Sequence, residues 1–249
     1  MTINKLQELV QAGVHWELRD DTFIKPTVAQ PQTDATNDKT RISSSVVPPI
    51  APVSTISLDT VKSMATRPND IESLVRMIGE FNHPLRASAT NTVLPHIGQG
   101  ELLIITDIPS PDDDACGKIM SGAIGELMDK MLGAINIKRQ NVSIIPMSFW
   151  RTPGGRTPTA SELELTRPFI DKIIELLSPR VILTLGTLPA TEFAGINLAK
   201  SHGELIDGPN GAKIMPIFHP NYLMLKPAAK KDAWVALQKV QNILKTGEE

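Results

Sequence analysis

The chain is poor in cysteine, in net charge and in long apolar runs. One cysteine, Cys116, stands among 249 residues, so a single chain forms no internal disulfide and no all-cysteine metal or iron–sulfur site. A formal net charge of −2 gives no overall pull toward nucleic acid, so a DNA-binding face has to come from local asymmetry. No run approaches membrane-spanning length, and Met1–Lys5 does not lead into an apolar leader segment. The expectation is a cytoplasmic protein with no membrane association. A hydrophobic share of 41% is enough to bury a core.

Asn4 to Ala12 has helical spacing, with Leu6, Leu9 and Val10 on one face and Gly13 as a stop. From Lys25 the composition shifts to Pro, Ser, Thr, Gln and Asn with little periodicity, as in a disordered linker. The expected organisation is a helical segment over 1–24, a linker over 25–65 and an α/β domain over 66–249. Ile71 to Phe81 is amphipathic, with Asp70 as its N-cap. From Glu101 onward apolar strands alternate with helices: Leu102–Ile105, Ser121–Ile135, Val142–Met147, Thr159–Leu177, Val181–Leu185, Lys213–Phe218 and Pro227–Leu244. Thr159 with Glu162 forms a capping box. This alternation predicts a three-layer α/β/α fold with a central, mostly parallel sheet of four strands.

In such a sheet, ligands sit beyond the carboxyl ends of the strands. Three loops meet there: 107–118, 148–158 and 219–226. The first carries Asp107, Asp112, Asp113 and Asp114; the second is Trp150-Arg151-Thr152-Pro153-Gly154-Gly155-Arg156; the third begins His219-Pro220. The proline pushes its predecessor away from helical geometry and holds His219 on a stiff turn. Acid, base and a glycine-containing basic loop around one crevice suit an enzyme acting on a phosphate-bearing substrate. The plainer alternatives are a solvated or helix-starting acidic run, a turn histidine, a packing Trp150 and an inert Cys116.

From about Phe81 onward the chain resembles the uracil-DNA glycosylase superfamily, closest to its family 4 branch. The resemblance is carried by Leu102–Asp107 with Pro109, by Gly117 through Gly122 and Gly125, by Trp150–Thr159, by Pro179–Gly186, by Phe218–Leu223 and by Lys230–Trp234. It implies hydrolysis of the bond between a deaminated base and its sugar in DNA, after the base is flipped from the stack. It implies Asp107, His219 and Asp113 as catalytic groups, and Met120, Pro109 and Ile108 against the base. Arg151, Arg156, Lys226, Lys230 and Lys231 are the expected contacts to DNA phosphates. Several positions depart from the family. Thr106-Asp107-Ile108-Pro109-Ser110 stands for Gly-Glu-Ala/Gly-Pro-Gly, Met120 for the stacking phenylalanine and Pro146 for the edge-reading asparagine. Trp150, Thr166 and His83 stand at or near cluster cysteines, so no cofactor is expected, the family's iron–sulfur cluster included. A monomer acting on DNA is the expectation. The alternatives are a catalytically degenerate DNA-binding member, or an interaction module of a repair complex.

Overall fold

The computed structural model describes residues 57–246. The helix expected over Asn4–Ala12, and residues 25–56 of the expected linker, lie outside them. The first described element corrects the linker's end. Helix α1, Leu58–Ala65, starts on Ser57, whose hydroxyl accepts from the Thr60 N–H at 3.2 Å. Val61 and Ala65 are buried on its inner side. Two small apolar residues one turn apart are too faint a pattern to stand out from Ser- and Thr-rich surroundings. Helix α2, Ile71–Glu80, is capped as expected, Asp70 accepting from Ser73 N–H at 2.7 Å.

Four strands run parallel: β1 Leu102–Thr106, β2 Val142–Pro146, β3 Val181–Leu185 and β5 Lys213–Ile217. Among the described residues the sheet has five strands rather than four, in the order β2-β1-β3-β5-β4. The addition is β4, Ile206–Asp207, antiparallel to β5 at the edge. A half-buried Ile206 and an exposed Asp207 before Gly208-Pro209-Asn210-Gly211 are too short a segment to show alternation, and the turn that follows them brings them back along β5.

Strand parity divides the core. Leu103 and Ile105 of β1 join Ile145, Ile182 and Ile214 in one cluster with α1, α2 and helix α5, Ala160–Leu177. Leu102 and Ile104 join Ile144, Leu183 and Met215 in another, against helices α4, Gly122–Ala134, and α8, Lys230–Lys245. Every residue of β1, β2 and β3 is buried, which is why these strands read as continuous apolar runs without alternation. Two expected loops are helical in part. Helix α3, Pro111–Cys116, follows β1, and helix α7, Pro220–Leu225, follows β5. Helix α6, Leu198–Ser201, precedes β4. No helix among the described residues is long and apolar enough to cross a membrane.

Candidate active site at the strand ends

His219 is the cap of α7. Its backbone is extended (φ −61°, ψ 143°), as the following proline requires. Its Nδ1 accepts from the Asn221 N–H at 3.2 Å. An imidazole nitrogen that accepts carries no hydrogen, so in the neutral ring the proton is on Nε2. Nε2 lies 3.1 Å from Thr106 Oγ1, to which it donates. Burial pushes the His219 pKa down to about 4, against a smaller opposing pull from the Asp113 charge. The ring is therefore a neutral donor at neutral pH, held at both nitrogens.

Asp107 is the first residue past β1. Its carboxyl is pushed up to about 6 by burial, opposed by a hydrogen bond from the Leu188 backbone. One oxygen, Oδ1, is buried without a hydrogen-bond partner. The space it fills exists because residue 186 is glycine: at φ 100° a Cβ would sit 2.7–3.0 Å from the carboxyl atoms. A buried acceptor left open at a strand end is available to a ligand or water.

Asp113 is placed differently from the catalytic role that the resemblance implies. It is 4% exposed. One oxygen accepts from Ser110 N–H at 3.0 Å and closes the capping box of α3; the other accepts from Ser121 N–H at 2.6 Å. Both carboxylate oxygens are used in tying the turn after β1 to the turn that carries Met120. The acidic run is thus the first turn of a helix, the plainer of the two sequence readings.

Met120 is buried and left-handed, with φ 53°. That costs a side-chain-bearing residue about 1–2 kcal/mol. Arg139 donates to the carbonyls of Ile119 at 2.6 Å and Met120 at 2.8 Å. Charge-assisted bonds of this kind contribute about 1.5–3 kcal/mol each, enough to hold the turn. Gly125 completes it, since a Cβ there would lie 1.9 Å from the Met120 carbonyl oxygen. Arg139 had no place in the sequence reading; a lone arginine before a strand gives no signal of a contact 19 or 20 residues away.

The remaining candidates separate. Pro109 is buried and Ile108 half-buried. Arg151 donates to the Pro109 carbonyl at 2.5 Å, joining the loop after β2 to the turn after β1. Arg156 makes a two-pronged ion pair with Glu162 at 2.8 and 2.6 Å. Glu162 is the capping-box acid of α5, and the pair holds its carboxyl down at about 2. The Arg156 charge is thus matched by Glu162, unlike those of the lysines expected beside it. Lys226, Lys230 and Lys231 are exposed, with no ion pair among the described residues.

Trp150, Thr166 and His83 are all buried. Trp150 is fully buried, and its indole N–H donates to Thr92 Oγ1 at 2.9 Å. His83 accepts from Leu85 N–H and bonds the Glu162 carbonyl, each at 3.1 Å. Thr166 donates to the carbonyls of Met147 and Leu163. An indole, a satisfied hydroxyl and an imidazole with both nitrogens engaged do not fit an iron–sulfur cluster.

Fold and edge together define an open α/β protein. A buried carboxyl and a neutral imidazole converge on the carboxyl ends of its parallel strands. Residues 96–239, more than half of the chain, match the family described as the uracil DNA glycosylase superfamily, and the chain belongs to that superfamily. It is 32% identical over 148 residues to a type-4 uracil-DNA glycosylase of Thermotoga maritima, spanning 57% of this chain and 76% of that one. A type-4 uracil-DNA glycosylase of Archaeoglobus fulgidus is 28% identical over 159 residues, 59% of this chain and 79% of that one. Another, of Pyrobaculum aerophilum, is 27% identical over 175 residues, 65% and 88% of the two chains.

Proposed function

We propose that the protein is a DNA-repair glycosylase that hydrolyses the bond between uracil, or a related deaminated base, and its deoxyribose. It acts in the cytoplasm as a monomer and without a metal or cluster. In this reaction the C1′–N bond breaks, water adds its oxygen to C1′ and its protons are shared between the new hydroxyl and the departing base. Charge develops in two places: positive on the sugar and negative on the base. Asp107, ionised above about pH 6, faces the sugar cation and orients water through its open Oδ1. His219 donates a hydrogen bond from its Nε2–H to the departing base and keeps the proton, which the base takes from water. A neutral donor suits this step because it stabilises charge that appears only as the bond breaks.

Further features support the reading. Just past His219, Tyr222, Met224 and Leu225 are 43%, 44% and 72% exposed on α7. An apolar prow beside a base site is what inserting into a base stack requires. Lys226, Lys230 and Lys231 follow it and suit the phosphate backbone. Asp113 acts here as a brace between the walls of the site. The iron–sulfur cluster is absent in this proposal, its place taken by the His83–Trp150 packing.

The observation that carries the proposal is the fixed tautomer of His219. Its test is single-turnover excision from oligonucleotides containing uracil, hypoxanthine or xanthine. Wild type is expected to release uracil. His219→Ala is expected to do so about 10²–10³-fold more slowly with DNA binding unchanged, the usual loss for one preorganised donor. Pro146, which offers no donor at the base edge, favours a second reading: a member that binds DNA without excising. Binding with no release of any base from the panel would establish that reading instead.

A further inference from the structure

The last row of the parallel sheet has one polar side chain. Register aligns Pro146, Thr106, Leu185 and Ile217 across β2, β1, β3 and β5. Pro146, Leu185 and Ile217 are apolar and buried, and Thr106 is 3% exposed. A hydroxyl at that depth costs about 1–3 kcal/mol if left unpaired. Its partner among the described residues is His219 Nε2, which reaches over the end of β3 to the end of β1.

We propose that Thr106 is a positioning residue for the glycosylase step: its hydroxyl accepts the Nε2–H of His219 and fixes the donor at the end of β1. The proposal rests on the excision reading above. Nδ1 is already held by the Asn221 N–H, which settles the tautomer but leaves the ring free to tilt about that bond. The Thr106 contact sets the second point, and two points fix the ring. The hydroxyl is well suited to the task. It accepts from His219 while its own hydrogen has no acceptor among the described residues, so it rotates at little cost when the imidazole turns its N–H to a base oxygen. An aliphatic residue in its place leaves Nε2–H unpaired in a buried wall, and the ring drifts from the reacting geometry. Misplacement of about 1 Å can cost on the order of 10²-fold in such a step. Pro146 beside it cannot substitute, since a proline has neither an N–H nor a polar side chain.

The test uses Thr106→Val, which keeps shape and β-branching, and Thr106→Ser, which keeps the hydroxyl. Two measurements are made on the full chain. The first is the nitrogen-15 spectrum of the His219 ring and the exchange protection of its Nε2–H. The second is the single-turnover rate on a uracil oligonucleotide, with DNA binding measured separately. Thr106→Val is expected to abolish protection of the Nε2–H and slow excision about 10- to 100-fold with binding within about twofold; Thr106→Ser is expected to restore both. A protected Nε2–H in the valine variant overturns the proposal. So does excision by that variant at the wild-type rate, or faster, since a faster enzyme means that Thr106 withholds the donor. Absence of excision in wild type defeats the excision reading and, with it, the positioning role; the spectrum then still shows whether the contact exists. A valine variant that fails to fold is replaced by Thr106→Ala, judged on the same two readouts.

Discussion

His83 lies flat against Trp150, ring centroids 4.7 Å apart and planes 5° from parallel. Phe81, Phe149 and the Trp150 indole meet at tilted or edge-on angles around the stack, and Phe169 meets Phe81 edge-on. Burial holds the His83 pKa below its ordinary value, so the stack pairs two neutral rings. Trp150→Ala is expected to destabilise the fold by about 3–5 kcal/mol, the usual range for a deleted core aromatic. Protein purified without oxygen is expected to be colourless and free of stoichiometric iron. Denaturant unfolding and metal analysis check both; bound iron that resists chelation would contradict the packing role.

Arg139 and Met120 form a second coupled pair. Arg139→Met removes both bonds to the Ile119 and Met120 carbonyls together with the exposed pair to Asp129, and destabilisation of about 3–6 kcal/mol is expected. Met120→Gly adopts φ 53° without strain, so it should recover part of that loss in the double variant, at the expense of apolar packing. A double-mutant cycle in urea measures the coupling. Additive effects within about 0.5 kcal/mol would mean that Arg139 does not support the left-handed turn.

The layers were legible because β1, β2 and β3 are buried on both faces and leave a continuous apolar signature, and because Asp70 and Thr159 cap as their side chains dictate. What escaped the sequence was set by contacts distant along the chain or by short turns. β4 has two residues, and α1 starts inside a stretch whose composition reads as a linker. At the site, Asp107 and His219 stand out by position and chemistry. Asp113 reads as an active acid until its two backbone partners are seen. Arg156 reads as a phosphate ligand until Glu162 is seen beside it. Charge is visible in a sequence; whether that charge is already matched is a property of the fold.

That distinction has a measurable consequence for DNA binding. Lys230→Ala with Lys231→Ala is expected to weaken binding and to lower the slope of log K against log salt by about 0.7–0.9 for each phosphate no longer neutralised. Arg156→Gln is expected to leave that slope unchanged, because its charge is matched by Glu162. Titrations at several salt concentrations decide the matter. A salt slope that falls in the Arg156 variant would return it to the interface.

The last prediction concerns pH, where burial acts on Asp107 and His219 in opposite senses. Asp107 titrates at about 6 in the fold against an ordinary 3.8. Between those values the folded protein holds a proton that the unfolded chain has released. Its contribution to stability is full below about 3.8 and is lost as pH rises through 6. His219 titrates at about 4 against 6.5, so there the unfolded chain holds the extra proton. Its contribution is full above 6.5 and is lost as pH falls through 4. Each slope is at most about 1.4 kcal/mol per pH unit, and across their shared window the two oppose and nearly cancel. Asp107→Asn should therefore unmask stability that rises with pH between 4 and 6.5. His219→Asn should unmask stability that falls with pH between about 3.8 and 6. Urea unfolding in half-unit pH steps measures both. Excision should show one acid limb, near pH 6, from ionisation of Asp107, and none at 6.5, because His219 is already neutral there. A limb at 6.5 that disappears in the His219 variant would show that the ring titrates as in water, and the neutral-donor account of the site would fall with it.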